Sequence, residues 1–251
     1  MRKAVLFLLS VATAVLTGPW VPLSAAEVTV VSRPPSAGEN PFYVGNREPL
    51  VPNPLLKLSI GAIEPEGWLG HQLMLARDGM VGQLAELSRW CKPDDNAWLS
   101  PTGAGKHGWE ELPYWLRGYG DLGYVLGDEA IMAAARVWID AVLGSQRDDG
   151  YFGPASNLTN VDGKPDLWPN MIMVNVLQSF HEATGDKRVV PFLLKYFRWQ
   201  QRLPREQFLH ASWQKIRAGD NLEKGYSCDS SSPYRLWCGP ELTCLFRSLY
   251  G

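Results

Sequence analysis

Apolar residues recur at steps of three and four along much of the chain after residue 67, which places them on one face of a helix. The pattern predicts five helices, at about 68–91, 112–126, 131–146, 170–183 and 189–201, and the start of a sixth near 219–221. Residues 92–96, with one proline and three Asp or Asn residues, end the first of them. The pattern therefore predicts an all-α body.

Two Gly-Asp pairs separate neighbouring helices, at 127–128 and 185–186, which are 58 residues apart. A glycine ends a helix in the left-handed conformation, and an aspartate caps the next one, so each pair predicts a tight hairpin turn. Because the hairpin repeats, we expect an α/α toroid with tight turns at one end and long loops at the other. A third turn is due near residue 243 but does not occur there, so the toroid is incomplete in this chain.

The two ends of the chain do not follow the helical pattern. Residues 1–26 have a basic start, an apolar run at 4–16 and a small-residue site ending at Ala26. We interpret them as a cleaved signal peptide, with an uncleaved membrane anchor as the alternative. Residues 27–66 form a Pro-rich, extended lead with a short strand predicted at 28–31. From 224 to 251 the pattern collapses, either as a genuine irregular cap or as sequence read out of frame, which we favour.

The amino-acid composition narrows the classes of partner that this protein could bind. The formal net charge is −2, which argues against a nucleic-acid partner. Eleven tryptophans are unusual for this length, and their flat faces suit sugar rings, although most should belong to the helical core. The four cysteines and four histidines show no metal-ligand spacing, so no metal site is predicted within this chain. With the signal removed we expect no stable membrane insertion and a secreted or periplasmic location.

Five segments resemble the bacterial glycoside hydrolases of family 127 and their β-L-arabinofuranosidase-like relatives. In order along the chain they lie at 109–121, 145–151, 166–170, 182–186 and 213–217. The resemblance covers roughly residues 67–223 and implies the N-terminal half of an (α/α)6 barrel. In that family the barrel is usually followed by β-sandwich domains.

The resemblance also implies a catalytic apparatus that this chain does not reproduce. Characterised members use a Glu acid/base and a Cys nucleophile beside a zinc held by Glu and Cys. Those motifs lie later in the barrel, and Cys228, Cys238 and Cys244 do not match their arrangement. We therefore assign no catalytic residue and expect no cofactor here, with zinc belonging to full-length relatives.

Candidate sugar contacts lie at the predicted long-loop end, where each hairpin begins. The candidates are Glu110, Glu111, Asp166, Trp168, Asn170, Asp220 and Asn221. Consecutive helical residues point about 100° apart, so at most one of Glu110 and Glu111 faces a pocket. The competing explanation for the acidic residues is capping of helix N-termini, which their negative charge also stabilises. Trp168 is a candidate stacking platform.

These observations favour an exported carbohydrate-active protein of glycosidase type, with an oligo- or polysaccharide as partner, that is inactive by itself. One alternative keeps the toroid but makes it an unsaturated uronyl hydrolase or a polysaccharide lyase. Those enzymes bind acidic sugars, for which the motifs provide only Arg117 and Arg217. A second alternative is a sugar-binding remnant without catalysis.

Overall fold

The computed structural model of the protein describes residue 55 and residues 57–221, and every structural statement below concerns that part of the chain. It contains seven α-helices and a single 3-10 turn at Ala155–Leu158. The helices are α1 Gly67–Asp78, α2 Met80–Leu87, α3 Glu111–Leu126, α4 Glu129–Gly144, α5 Trp168–Thr184, α6 Val189–Gln201 and α7 Ser212–Ile216. Residues 218–221 are helical again where the description ends. The protein is all-α in this part, and its extended pairings are two isolated bridges.

Both predicted hairpin turns form, but the predicted aspartate cap occurs only in the first, because α6 has Arg188 at its N-cap and no side-chain cap. Gly127 ends α3 and Gly185 ends α5, and both have left-handed backbone angles. Asp128 caps α4 by accepting hydrogen bonds from the backbone N–H groups of Ala130 and Ile131. The hairpins α3–α4 and α5–α6 therefore form where the sequence pattern places them.

We expect Asp128→Ala to lower the free energy of unfolding by about 1 kcal/mol, because two backbone N–H groups lose their acceptor. Urea unfolding followed by circular dichroism measures the change. Asp128→Ser retains an acceptor and is the matched control. Equal losses in the two variants would show that the cap contributes nothing.

The prediction of one continuous first helix is wrong. The helix breaks at Gly79 into α1 and α2, and the second piece ends at Leu87. Gly82 permits this break, because a β-carbon there would lie 1.8 Å from the backbone oxygen of Arg77. After the break Met80 and Leu87 are exposed, although the pattern placed both on the apolar face.

Helix α3 is the centre of the packing, since it contacts α1, α2, α4 and α5. The first helices of the two hairpins, α3 and α5, lie side by side, and both contribute to the hydrophobic core, with Leu112 and Leu116 from α3 and Met171 and Val174 from α5. Helix α5 is buried along almost its whole first half, as an inner helix of a helical array would be. The closed toroid itself stays a prediction.

Several predictions fall outside the described residues. They concern the signal peptide at 1–26, the lead up to residue 54 with its strand at 28–31, and the tail at 224–251 with its three cysteines. The described end of the lead, residues 57–66, is not helical, and the backbone N–H of Ile60 donates to Glu182 of α5. No helix in the described ranges is both long and apolar enough to cross a membrane.

Candidate functional site

The N-terminal ends of α3 and α5 meet at the end of the hairpins opposite the Gly-Asp turns. Asn157 joins the two loops that precede these helices. Its side-chain amide donates to the backbone oxygen of Gly108 at 2.9 Å, and its backbone oxygen accepts from the N–H of Asp166 at 2.7 Å. The residues before α3 and before α5 are therefore held side by side.

The short helix α7 is fastened to the same place by a buried glutamine. Gln214 accepts a hydrogen bond from the backbone N–H of Leu167 and donates one to the backbone oxygen of Pro165. Helix α7 was not predicted, because five residues are too few for a periodic pattern. Its attachment brings Trp213 and Arg217 to the start of α5.

Asp166 is the buried centre of this end, with 1% of its surface exposed. Its Oδ1 accepts from the backbone N–H of Trp168 at 3.0 Å and from the indole N–H of Trp213 at 3.5 Å. Its Oδ2 accepts from the indole N–H of Trp109 at 3.0 Å. A buried carboxylate is tolerated when N–H donors surround it, and here they come from three segments. Asp166 thus binds the first residue of α5 without being its cap, since Leu167 lies at the N-cap, and the helix begins at Trp168, two residues before the predicted start.

Glu110 forms the second, reciprocal link between the hairpins. It is half-buried, and its carboxylate accepts from the indole N–H of Trp168. The Trp109–Asp166 and Trp168–Glu110 pairs join residues 57 and 58 apart, close to the spacing of the hairpin turns. Each hairpin thus donates one indole hydrogen bond to a carboxylate of the other hairpin, and these two bonds fix the orientation of both carboxylates.

Trp168 is enclosed rather than open, with 4% of its surface exposed. The guanidinium of Arg217 lies 4.3 Å from the centroid of its ring, and the ring of Tyr114 packs edge-on at 6.1 Å. The interpretation of Trp168 as a free stacking platform therefore does not fit this arrangement. Its ring instead packs against Arg217 and Tyr114, whose side chains are exposed to solvent.

Charged groups of both signs surround Tyr114, which is 46% exposed. The pKa of its hydroxyl is raised, chiefly by burial and further by the negative charges of Glu110 and Asp220. Arg217 and Arg117 lower it. Glu110, Tyr114 and Arg217 each contact the Trp168 side chain, so these three groups lie close together.

The seven predicted contacts divide into two groups. Glu110, Asp166 and Trp168 come together with Tyr114 and Arg217, and the backbone N–H of Asp220 donates to the backbone oxygen of Arg217. The other three are turned to different surroundings, namely Glu111, Asn170 and Asn221. Glu111 raises the pKa of buried Cys91, although burial contributes more to that shift.

The two asparagines of the second group have partners in the core. Asn170 is fully buried and donates to the backbone oxygen of Phe152 at 2.9 Å. Asn221 exchanges two amide hydrogen bonds with Gln200 of α6. Both side chains connect helices to neighbouring segments.

Three aromatic residues at this end were not singled out from the sequence, although all lie within or beside the resembling motifs. Trp109 is 37% exposed and Trp213 is 36% exposed, and Tyr114 is the third. The available signal was that Trp109 and Trp213 are the first residues of two of the resembling motifs, at 109–121 and 213–217. Only the shared hydrogen bonds to Asp166 show that the two indoles belong together.

A polar depression of about 530 Å³ lies beside the turn after α4 and is lined by residues 146–149. Two of its lining residues, Arg147 and Asp149, form an ion pair of 3.3 Å. Asp149 also accepts from the backbone N–H of Tyr151, as a turn-forming aspartate does. No aromatic ring is among its lining residues.

The described residues do not provide a zinc site. Within 57–221, no three His, Cys, Asp or Glu side chains come together as metal ligands. Cys91, the cysteine in this range, is buried, and burial raises the pKa of its thiol.

Comparison with known proteins identifies the family. Residues 83–222, more than half of the chain, match the family described as "Beta-L-arabinofuranosidase, GH127 catalytic domain". No curated protein and no solved structure matches the chain at a significant level. The match spans α3 to α7 and thus includes Glu110, Asp166 and Arg217. The chain therefore belongs to glycoside hydrolase family 127, the β-L-arabinofuranosidase family, because its residues 83–222 match the catalytic domain of that family.

Proposed function

We propose that this protein is exported and that its helical part is a β-L-arabinofuranosidase-like glycoside hydrolase domain. The domain binds a sugar where the N-terminal ends of α3 and α5 meet. One observation carries the proposal: the Trp168 indole holds the half-buried Glu110 carboxylate beside Tyr114 and Arg217. A fixed carboxylate next to aromatic rings and a guanidinium supplies the acceptors, donors and apolar faces that sugars require.

Binding is better supported than complete catalysis in these residues. Glycoside hydrolysis generally needs one carboxyl group to protonate the leaving oxygen and a second group to attack or to activate water. Asp166 accepts hydrogen bonds at both oxygens and is buried, so it is committed to structure. We therefore propose that the 251-residue chain binds sugar without turning it over.

The charge around the site favours a neutral sugar over an acidic one. The charges that act on the Tyr114 hydroxyl balance, with the carboxylates of Glu110 and Asp220 against the guanidiniums of Arg117 and Arg217. A uronic acid would require an excess of positive charge, which these four groups do not supply. This argues against the uronyl hydrolase and lyase alternatives.

We expect Glu110→Gln to weaken the binding of methyl β-L-arabinofuranoside at least tenfold in isothermal titration. The substitution preserves size but removes the charge that strengthens hydrogen bonds to sugar hydroxyls. Glu129→Gln is the matched control, since Glu129 is exposed in the first turn of α4. Unchanged affinity in Glu110→Gln, with native circular dichroism, would contradict the proposed site.

Hydrolysis is tested separately with an aryl β-L-arabinofuranoside. We expect no release of the aryl group by the purified 251-residue chain. Turnover that Glu110→Gln abolishes would overturn the proposal of binding without catalysis and would make Glu110 a catalytic residue.

Export is a further part of the proposal, and it rests on the basic start, the apolar run and the small-residue site of residues 1–26. Mass spectrometry of the protein recovered from a bacterial periplasm should show a chain that begins at Glu27. Recovery of the full chain in the membrane fraction would favour the anchor instead.

A further inference from the structure

We propose that Asp166 is a positioning residue that holds Trp109 and Trp213 as a two-ring stacking platform for a neutral sugar unit next to the one bound at Glu110. The inference rests on the proposed function and extends it to a second unit of the ligand. It assigns different roles to the two carboxylates, because Glu110 faces the ligand and Asp166 faces the rings.

The two indoles share one anchor. Trp109 donates to Oδ2 of Asp166 at 3.0 Å, and Trp213 donates to Oδ1 at 3.5 Å. Each N–H edge is therefore turned inward, toward the buried carboxylate. About a third of each residue remains exposed, 37% for Trp109 and 36% for Trp213, so both residues are open to solvent although their N–H groups are bound.

The anchor itself cannot move freely. Asp166 is 1% exposed, its Oδ1 also accepts from the backbone N–H of Trp168, and its backbone N–H donates to the backbone oxygen of Asn157 at 2.7 Å. The segments that carry the rings are held as well. The indole of Trp98, which is fully buried, donates to the backbone oxygen of Trp109 at 3.1 Å, and Gln214 fastens α7. A platform that is rigid before binding loses little conformational entropy when a ligand stacks on it.

The chemistry of the platform selects a neutral sugar. Aromatic faces carry partial negative charge and attract the weakly positive C–H face of a sugar ring. The neighbouring carboxylates would disfavour an acidic unit at the same place. The platform therefore fits a neutral sugar unit that adjoins the one at Glu110, and the arabinofuranosyl identity of both units rests on the proposed function.

Titration of the full chain with a β-L-arabinofuranosyl disaccharide and with the methyl monosaccharide tests the inference. We expect Trp109→Ala and Trp213→Ala each to weaken disaccharide binding at least fivefold and monosaccharide binding less than twofold. Trp90→Ala is the matched control, because Trp90 is 41% exposed and lies outside the site. It should bind both sugars as the wild type does.

Asp166→Asn tests the positioning role. One of its two acceptor oxygens becomes an NH₂ group, so at least one indole loses its partner. In chain labelled with ¹⁵N-tryptophan, we expect the Trp109 or Trp213 indole N–H signal to move before ligand is added, and disaccharide binding to fall at least fivefold. The signals are assigned with Trp109→Phe and Trp213→Phe, and a melting curve checks that the variant folds. If it does not fold, the two alanine variants decide.

The outcomes separate this inference from the proposed function. A wild-type chain that binds neither sugar contradicts both. A chain that binds through Glu110, but with full disaccharide affinity in Trp213→Ala and Trp109→Ala, overturns the platform alone. Indole signals of Trp109 and Trp213 that stay unmoved by the disaccharide overturn it as well.

Discussion

Gly150→Ala is expected to lower the free energy of unfolding by more than about 3 kcal/mol, or to prevent folding. Gly150 has a φ of +105°, where residues with a β-carbon are strained. A β-carbon there would also lie 2.4 Å from the backbone oxygen of Lys195 and 3.1 Å from the β-carbon of Trp199. Because Lys195 belongs to α6, the loop after α4 would have to move away from that helix.

The variant Gly185→Ala separates the effect of backbone strain from the effect of the close contact at Gly150. Gly185 also has a positive φ, +66°, but nothing lies within 4 Å of the position of its β-carbon. We expect this variant to lose only about 1 kcal/mol. Urea unfolding monitored by circular dichroism measures both, and equal losses would show that the close approach to α6 is unimportant.

The second large effect is expected at alkaline pH. Burial raises the pKa of Tyr151 well above its ordinary value, and burial likewise raises the pKa of Tyr196. Burial also raises the pKa of Tyr124, to about 12. In the unfolded chain the hydroxyl of each tyrosine ionises near pH 10, so there the unfolded state releases protons that the folded state keeps.

Stability is therefore complete below pH 10 and falls as the pH rises toward the folded pKa values. Each fully buried tyrosine removes about 1.4 kcal/mol of stability per pH unit in that range. Tyr151 and Tyr196 together should remove about 3 kcal/mol at pH 11.

Urea unfolding between pH 8 and 11 measures this loss, and tyrosinate absorbance reports the ionisation itself. Tyr196→Phe should reduce the loss by about 1.4 kcal/mol per pH unit above 10, with its stability at pH 8 as the reference. Parallel pH profiles for Tyr196→Phe and the wild type would contradict the assignment.

Much of the helical framework follows from local patterns. The apolar spacing located α3 to α6 to within about two residues at each end, because one face of each helix packs on the core. The capping aspartate and glycine of the first turn acted as predicted, since their contacts lie within a few residues. The break at Gly79 was missed because a glycine within an apolar period gives no clear signal by itself.

Only part of the candidate site could be predicted from the sequence. The resembling motifs directed attention to the starts of the hairpins, and four of the seven candidates meet there. Trp168 was assigned an open ring, whereas Arg217 covers one of its faces. Neither the enclosure nor the exposed indoles could be inferred, because the contacting residues lie on other segments.

The sequence by itself determined the all-α class, the two hairpin turns and the family, because these depend on local spacing and on motifs in order. The tertiary structure decided the direction of each side chain at the candidate site. Asp166 receives indole N–H groups from residues 57 positions before it and 47 after it. Such partners meet only when α3, α5 and α7 pack with their starts together, and packing is a property of the folded chain.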